Sequence, residues 1–175
     1  ELRLGCYIGI FAYCTSLKTA PMLSASVVIE YCYAAMFKGC KSLIQAPALP
    51  AISLAAFCYE QMFQDCAALE VAPQLPAKDL TYSCYYRMFY GCSSLKELPQ
   101  FDDIILDACC CGGMFEKCKS IRVSEAQDSE YINPFVFQTN DGRAYLSKSL
   151  QNMFKGTGGI FIGCPMVNRT YYLAK

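Results

Sequence analysis

Residues 58–84 read CYEQMFQDCAALEVAPQLPAKDLTYSC, and the chain rewrites this stretch at a step of 26. One step back, Cys32 opens CYAAMFKGCKSLIQAPALPAISLAAF, and another step back Cys6 opens CYIGIFAYCTSLKTAPMLSASVVIEY. Forward, Cys84 opens CYYRMFYGCSSLKELPQFDDIILDAC and Cys110 opens CCGGMFEKCKSI. A second cysteine follows each opening one by eight positions, at Cys14, Cys40, Cys66, Cys92 and Cys118. Self-similarity at a fixed period of this size marks units that stack because one alone cannot bury its apolar face.

The 175 residues are 54% hydrophobic and 17% charged, enough for one domain with a sizeable core. Lysine plus arginine and aspartate plus glutamate number 15 each, for a net charge of zero. That balance, with no basic run, argues against nucleic acid as a partner. No apolar run reaches the roughly 18 residues that cross a bilayer, so no membrane insertion is expected of this segment. The first residues, from Glu1, already lie inside a repeat, and the chain reads as an excerpt of a longer protein. Residues 1–121 are assigned to the repeats; 122–175 hold an insertion, a last degenerate repeat and a C-terminal cap, in one continuous domain.

Within one unit, 54–66, Leu54, Cys58, Met62 and Cys66 stand four apart. On a helix they make one apolar stripe drifting by about 40° a step, extended by Tyr59. Ser53 and Asp79 stand where helix N-caps would sit, Gly39 and Gly91 near the other end, and Pro50 and Pro76 safely upstream. After the second cysteine come extended pieces at 43–49, 69–75 and 95–101, each with an internal proline. The expected fold class is therefore α/β: a solenoid with one short strand and one helix per 26-residue repeat. Stacking would place a narrow parallel sheet on one side and the helices on the other.

Thirteen cysteines raise the question of disulfides or metal, and ten of them occupy the two repeat positions, leaving Cys109, Cys111 and Cys164. With no histidine in the chain and a contiguous cluster at Cys109–Cys111, a structural zinc site is not expected, and no other metal or cofactor either. Two cysteines eight apart on a helix lie about 12 Å from each other, and neighbouring helices pack roughly 8–10 Å apart, beyond disulfide reach. The expectation is two ladders of buried free thiols serving as small apolar fillers.

MFKGCKSLIQAPALPA and MFQDCAALEVAPQLPA resemble the BspA-type leucine-rich repeats of bacterial surface proteins, in a 26-residue version with a C-Y-x-x-M-F-x-x-C core. The resemblance runs from residue 6 to about 121 and returns near the C-terminus. It implies a leucine-rich-repeat solenoid displayed outside a bacterial cell, with adhesion or host-matrix binding as its role. An anaerobic habitat would let exported thiols stay reduced.

The first repeat is degenerate, with Ile10-Phe11 for Met-Phe and Leu23-Ser24 for Leu-Pro. Asp102, Asp103 and Asp107 lack the glycine turn and ligand loop of an EF-hand, and are expected in a solvated turn. From Met114-Phe115 to Met153-Phe154 is 39 residues, one period plus 13, which places an insertion within 122–148. Inside it, Phe135-Val136-Phe137 and Ala144-Tyr145-Leu146 flank Asn140-Asp141-Gly142, the pattern of a β-hairpin. Thr157 then replaces the second cysteine, and the turn-rich, aromatic ending is expected to cover the end of the stack. Gly156-Thr157-Gly158-Gly159 lacks the lysine and the strand-to-helix context of a phosphate loop. Asn168-Arg169-Thr170 fits a glycosylation acceptor, which carries little meaning in a bacterial protein.

No histidine, nucleophile elbow or metal cluster points to catalysis, and no catalytic residue is assigned. Tyr33, Tyr59 and Tyr85 sit at repeat positions and read as packing residues with a polar tip. The expected function is a non-enzymatic, adhesin-like extracellular module recognising a protein or glycan ligand through its strand face. The candidate binding residues are Lys18 and Thr19, Ile44 and Gln45, Glu70 and Val71, Lys96 and Glu97. The alternative is a stalk or spacer presenting another domain of a larger surface protein.

Overall fold

A computed structural model of the chain describes residues 3–101, 104–138 and 148–175. It overturns the α/β assignment: the described residues contain no helix, and the named strands are three short antiparallel ones at the C-terminal end. The stretches expected as helices are chains of overlapping turns. These arms occupy 5–14, 31–40, 57–66, 83–92, 109–118 and 149–157, and define coils 1 to 6 in order.

The hydrogen bonding of an arm alternates residue by residue. In coil 2 the amides of Cys32, Ala34, Met36, Lys38 and Cys40 donate to the carbonyls three residues back, closing a turn every second residue. The intervening amides of Tyr31, Tyr33, Ala35, Phe37 and Gly39 donate instead to the carbonyls of Ala56, Cys58, Glu60, Met62 and Gln64 in coil 3. Both sets of amides are satisfied, half within the arm and half between arms, as a buried backbone requires. Every fourth residue takes a positive φ: Tyr31, Ala35 and Gly39 at 56°, 53° and 72°, then Phe57, Gln61 and Asp65 at 58°, 54° and 59°. Such residues stand third in every other turn, where a turn demands φ > 0.

Two conformations share the four-residue spacing of apolar groups, which is why the pattern resembles a helix. Cys32, Tyr33, Met36, Phe37 and Cys40 are buried, as a helical stripe would bury them, but they are the middle residues and closing cysteine of successive turns. Ser53 and Asp79 cap nothing: each makes a single parallel bridge, to Val27 and Ile105. Gly39 and Gly91 are the third left-handed residue of their arms, not helix ends, and a Cβ on Gly39 would lie 2.6 Å from the Tyr13 ring.

Equivalent side chains stack along the coils. Phe11, Phe37, Phe63, Phe89, Phe115 and Phe154 form one column with ring centroids 5.5–6.0 Å apart, and Tyr7, Tyr33, Tyr59 and Tyr85 form a second. Coils therefore lie much closer than packed helices, so the distance argument against cysteine pairing does not hold. All thirteen cysteines are nonetheless free. The expected extended strands shrink to one bridge per coil, Thr19 to Gln45 to Val71 to Glu97, because Pro47, Pro73 and Pro99 remove the next donors.

Coil 6 keeps the pattern across the insertion: Cys111, Gly113, Phe115 and Lys117 donate to Ser149, Gln151, Met153 and Lys155, each 38 residues on instead of 25. Around it, β1 (Val123–Ser124), β2 (Tyr131–Val136) and β3 (Thr170–Ala174) form an antiparallel sheet in the order β1-β3-β2. β2, with Pro134 on a sheet edge, pairs with β3. The turn Asn140-Asp141-Gly142 and the segment Ala144-Tyr145-Leu146 of the expected hairpin lie outside the described residues, as do Asp102 and Asp103. Phe135, Phe137, Phe161 and Tyr171 close the phenylalanine column over Phe154. Gly158 and Gly159 press against the backbone of Lys119 and Val123, where any Cβ would collide, so this glycine run serves close approach within the cap.

Candidate binding edge

The bridge ladder runs along the stack axis and carries the predicted residues. Thr19, Gln45, Val71 and Glu97 pair coil to coil, and Lys18, Ile44, Glu70 and Lys96 precede them at each level. All eight are exposed, with Ile44 at 57% and Val71 at 48%. A single bridge per level leaves the side chains free of a covering layer, since the neighbouring prolines prevent a wider ladder. Lys96 donates its amide to the Glu70 carbonyl at 3.0 Å, and its ammonium reaches the Glu70 carboxylate at 3.4 Å. The row is thus aliphatic and amide-bearing in coils 2 and 3, with an exposed ion pair joining coils 3 and 4.

Gln45 and Val71 also border a feature that the row alone did not reveal. The A-P-x-L-P returns of coils 2 and 3 leave a groove of about 380 Å³, walled by Pro47, Leu49, Pro50, Pro73 and Pro76. A second groove of about 450 Å³ lies farther along, where Leu98, Pro99 and Phe101 face β2 and β3. The two prolines of each return in coils 2 and 3, in register, make this wall; the return of coil 1 has Leu23-Ser24 and that of coil 4 has Gln100-Phe101 where the second proline would follow. The repetition of A-P-x-L-P itself was the available signal.

Elsewhere the repeat positions are structural. Tyr33, Tyr59 and Tyr85 stack on one another with Tyr59 and Tyr85 almost wholly buried, and burial pushes their phenols up. The second cysteines do more than fill space: the thiols of Cys40, Cys66, Cys92 and Cys118 donate to the carbonyls of Phe11, Phe37, Phe63 and Phe89 at 3.0–3.1 Å. Asp107 accepts from the amide of Ala108, and its carbonyl accepts from Ser149, tying coil 5 to coil 6. Among the described residues no group of three or more cysteine, aspartate or glutamate side chains is placed to hold a metal ion. Arg169 of the N-R-T triplet pairs with Glu125 at 3.6 Å. No family model, curated protein or solved structure matches this chain, so its function is read from the geometry of this edge.

Proposed function

We propose that the protein is a non-catalytic binding module that takes a protein or glycan ligand along the exposed bridge ladder. The observation that carries this reading is the joint placement of Gln45 and Val71, in the solvent-facing row and at the rim of the proline-walled groove. Apolar walls with a few amide groups suit a protein segment better than a sugar, whose hydroxyls need more polar partners. Display outside a bacterial cell, with an adhesin-like role, accompanies this proposal and rests on the repeat resemblance. A stalk that holds another domain away from the surface is the second reading, favoured by the unbroken phenylalanine column and its flanking hydrogen bonds.

The test is a binding screen of the labelled protein against host matrix proteins and a glycan array. A variant with Lys18, Gln45, Glu70 and Lys96 replaced by serine runs beside it; all four side chains are exposed, so the fold is expected to persist. A saturable hit lost in the variant supports the ladder as the site. A hit retained in the variant moves the site elsewhere, and no hit at all favours the stalk.

A further inference from the structure

Lys38, Gln64, Tyr90, Glu116 and Lys155 occupy one repeat position in coils 2 to 6, and of these only Glu116 is buried, its side chain 8% exposed. Its Oε2 has no hydrogen-bond donor among the described residues. Arg87 Nη2 stands 3.9 Å from that oxygen and Lys155 Nζ stands 4.0 Å from Oε1, near enough to balance the charge and too far to donate. A buried carboxylate oxygen without a donor is costly. Coil 3 shows the contrast: Glu60 accepts from the Gln61 side chain at 3.2 Å, and Gln61 accepts from Lys38 at 2.7 Å, so that polar row satisfies itself.

Missing side chains make room beside Glu116. In the stacking register Gly112 lies between Tyr86 and Gln151, and Gly113 between Arg87 and Asn152. The two glycines leave a notch of about 40 Å³ within the stack, bounded by coil 4 on one side and coil 6 on the other. Gly113 holds φ at 62°, and a Cβ there would lie 3.2 Å from Glu116 Oε2 and 3.1 Å from Arg87 Cγ. The Arg87 guanidinium lies over the rings of Tyr86 and Tyr90, 5.3 Å from each centroid, which holds it beside the notch. Exposed Gln151 and half-buried Asn152 line it from coil 6. The notch shares no residue with the bridge ladder or its groove.

We infer that this notch is a binding site for a neutral, polyhydroxylated ligand, the hydroxyl-bearing edge of a sugar. Charge selects the class. Glu116 Oε2 repels an anion, while Arg87, Lys148 and Lys155 around it repel a cation. A hydroxyl suits both: at ordinary hydrogen-bond length from two atoms 3.9 Å apart, it donates to Oε2 and accepts from the guanidinium. The notch takes about two or three water-sized groups, room for adjacent hydroxyls and not for a whole ring. Gln151 and Asn152 supply side-chain amides for a neighbouring hydroxyl.

The probes are the neutral hexosides methyl β-galactoside and methyl α-mannoside, titrated into the isotope-labelled whole chain under reducing conditions and followed by amide NMR shifts. The expected result is saturable shifts at Gly112, Gly113 and Asn152 with at least one of them. Gly113→Ala fills the notch with a residue that this fold accepts at Ala35, where φ is 53°, and Glu116→Gln keeps the shape and removes the charge. Each should weaken binding by about tenfold or more, with the rest of the spectrum reporting that the variant folds. Unchanged affinity in either folded variant would overturn the inference, as would tighter binding of glucuronate or glucosamine than of the neutral hexosides. Shifts confined to Gln45, Val71 and their neighbours would place the sugar in the proline-walled groove and overturn it too, as would the absence of saturable shifts.

Discussion

The thiol of Cys92 donates to the carbonyl of Phe63 across 3.0 Å, joining the second cysteine of one coil to the phenylalanine of the coil before it. The same carbonyl accepts the amide of Cys66, so the carbonyls of Phe11, Phe37, Phe63 and Phe89 each serve one bond inside the arm and one between arms. Oxidation of this row would remove the donors, which gives the free thiols a structural purpose beyond filling volume. Cys92→Ala should lower unfolding free energy by about 1–2 kcal/mol, from a lost bond and a small cavity. Cys14→Ala, at the exposed end, should change it by less than about 0.5 kcal/mol. Equal effects in urea titrations would refute the role assigned to the bond.

Buried thiols also set the response to alkali. Burial raises Cys58, Cys66 and Cys118 to about 12 and Cys32 to about 11, while an unfolded thiol titrates near about 8.5. Above the unfolded value the unfolded chain releases protons that the folded chain keeps, so stability falls as pH rises and is fully present below it. Each such thiol adds a slope of about 1.4 kcal/mol per pH unit between about 8.5 and its folded value. Chemical denaturation midpoints should be level from pH 6 to 8 and drop steeply above 9. A flat profile to pH 10 would contradict this burial.

Native labelling should separate the cysteines by place. Cys6, Cys14 and Cys164 are exposed, Cys109 is half-buried and the remaining nine are buried. Brief alkylation of the folded protein should modify the first three, and denaturation should release all thirteen. Rapid native labelling of Cys58 or Cys84, located by mass spectrometry, would be incompatible with the stack.

Ala35 gives a test of opposite signs. In a helix, Ala35→Gly would cost about 1 kcal/mol. Here Ala35 holds φ at 53°, which burdens an alanine by roughly 1–2 kcal/mol and spares a glycine. Net of the added freedom of the unfolded chain, the substitution should stabilise by about 0.5–1 kcal/mol. A lowered melting temperature would restore the helical reading of the arm.

Phe63 lies midway in its column, wholly buried between Phe37 and Phe89, and Phe63→Ala should cost about 3–5 kcal/mol. Phe11, which stacks on Phe37 at the exposed end, should cost roughly 1–2 kcal/mol. Comparable losses from the two would argue against a column that deepens toward its centre.

The period of 26 was legible because identical residues must meet identical neighbours, and the 13-residue excess before Met153 was legible for the same reason. The conformation of the arm was not. Cys58 and Met62, four apart, satisfy a helix and a chain of turns equally well, and propensity does not separate them. Two signs were nevertheless present. A helical stripe drifts when its step is four residues rather than 3.6, and Gly5, Gly9, Gly39, Gly91, Gly113 and Gly156 all occupy the positions that here need positive φ. The row from Lys18 to Glu97 was found by counting, since the bridge ladder obeys the period. The groove beside it was missed because Pro47 and Pro73 were read as interruptions of a strand rather than as walls.

The alternation of amides behaves like a reading frame. Bonds to the next coil come from one residue in two, so a single residue gained or lost within an arm would hand every outward donor the local role and every local donor the outward one. Between arms no such parity applies, and the chain carries 13 extra residues there while Cys111 still finds Ser149. Length is therefore free to vary in the returns and fixed in the arms.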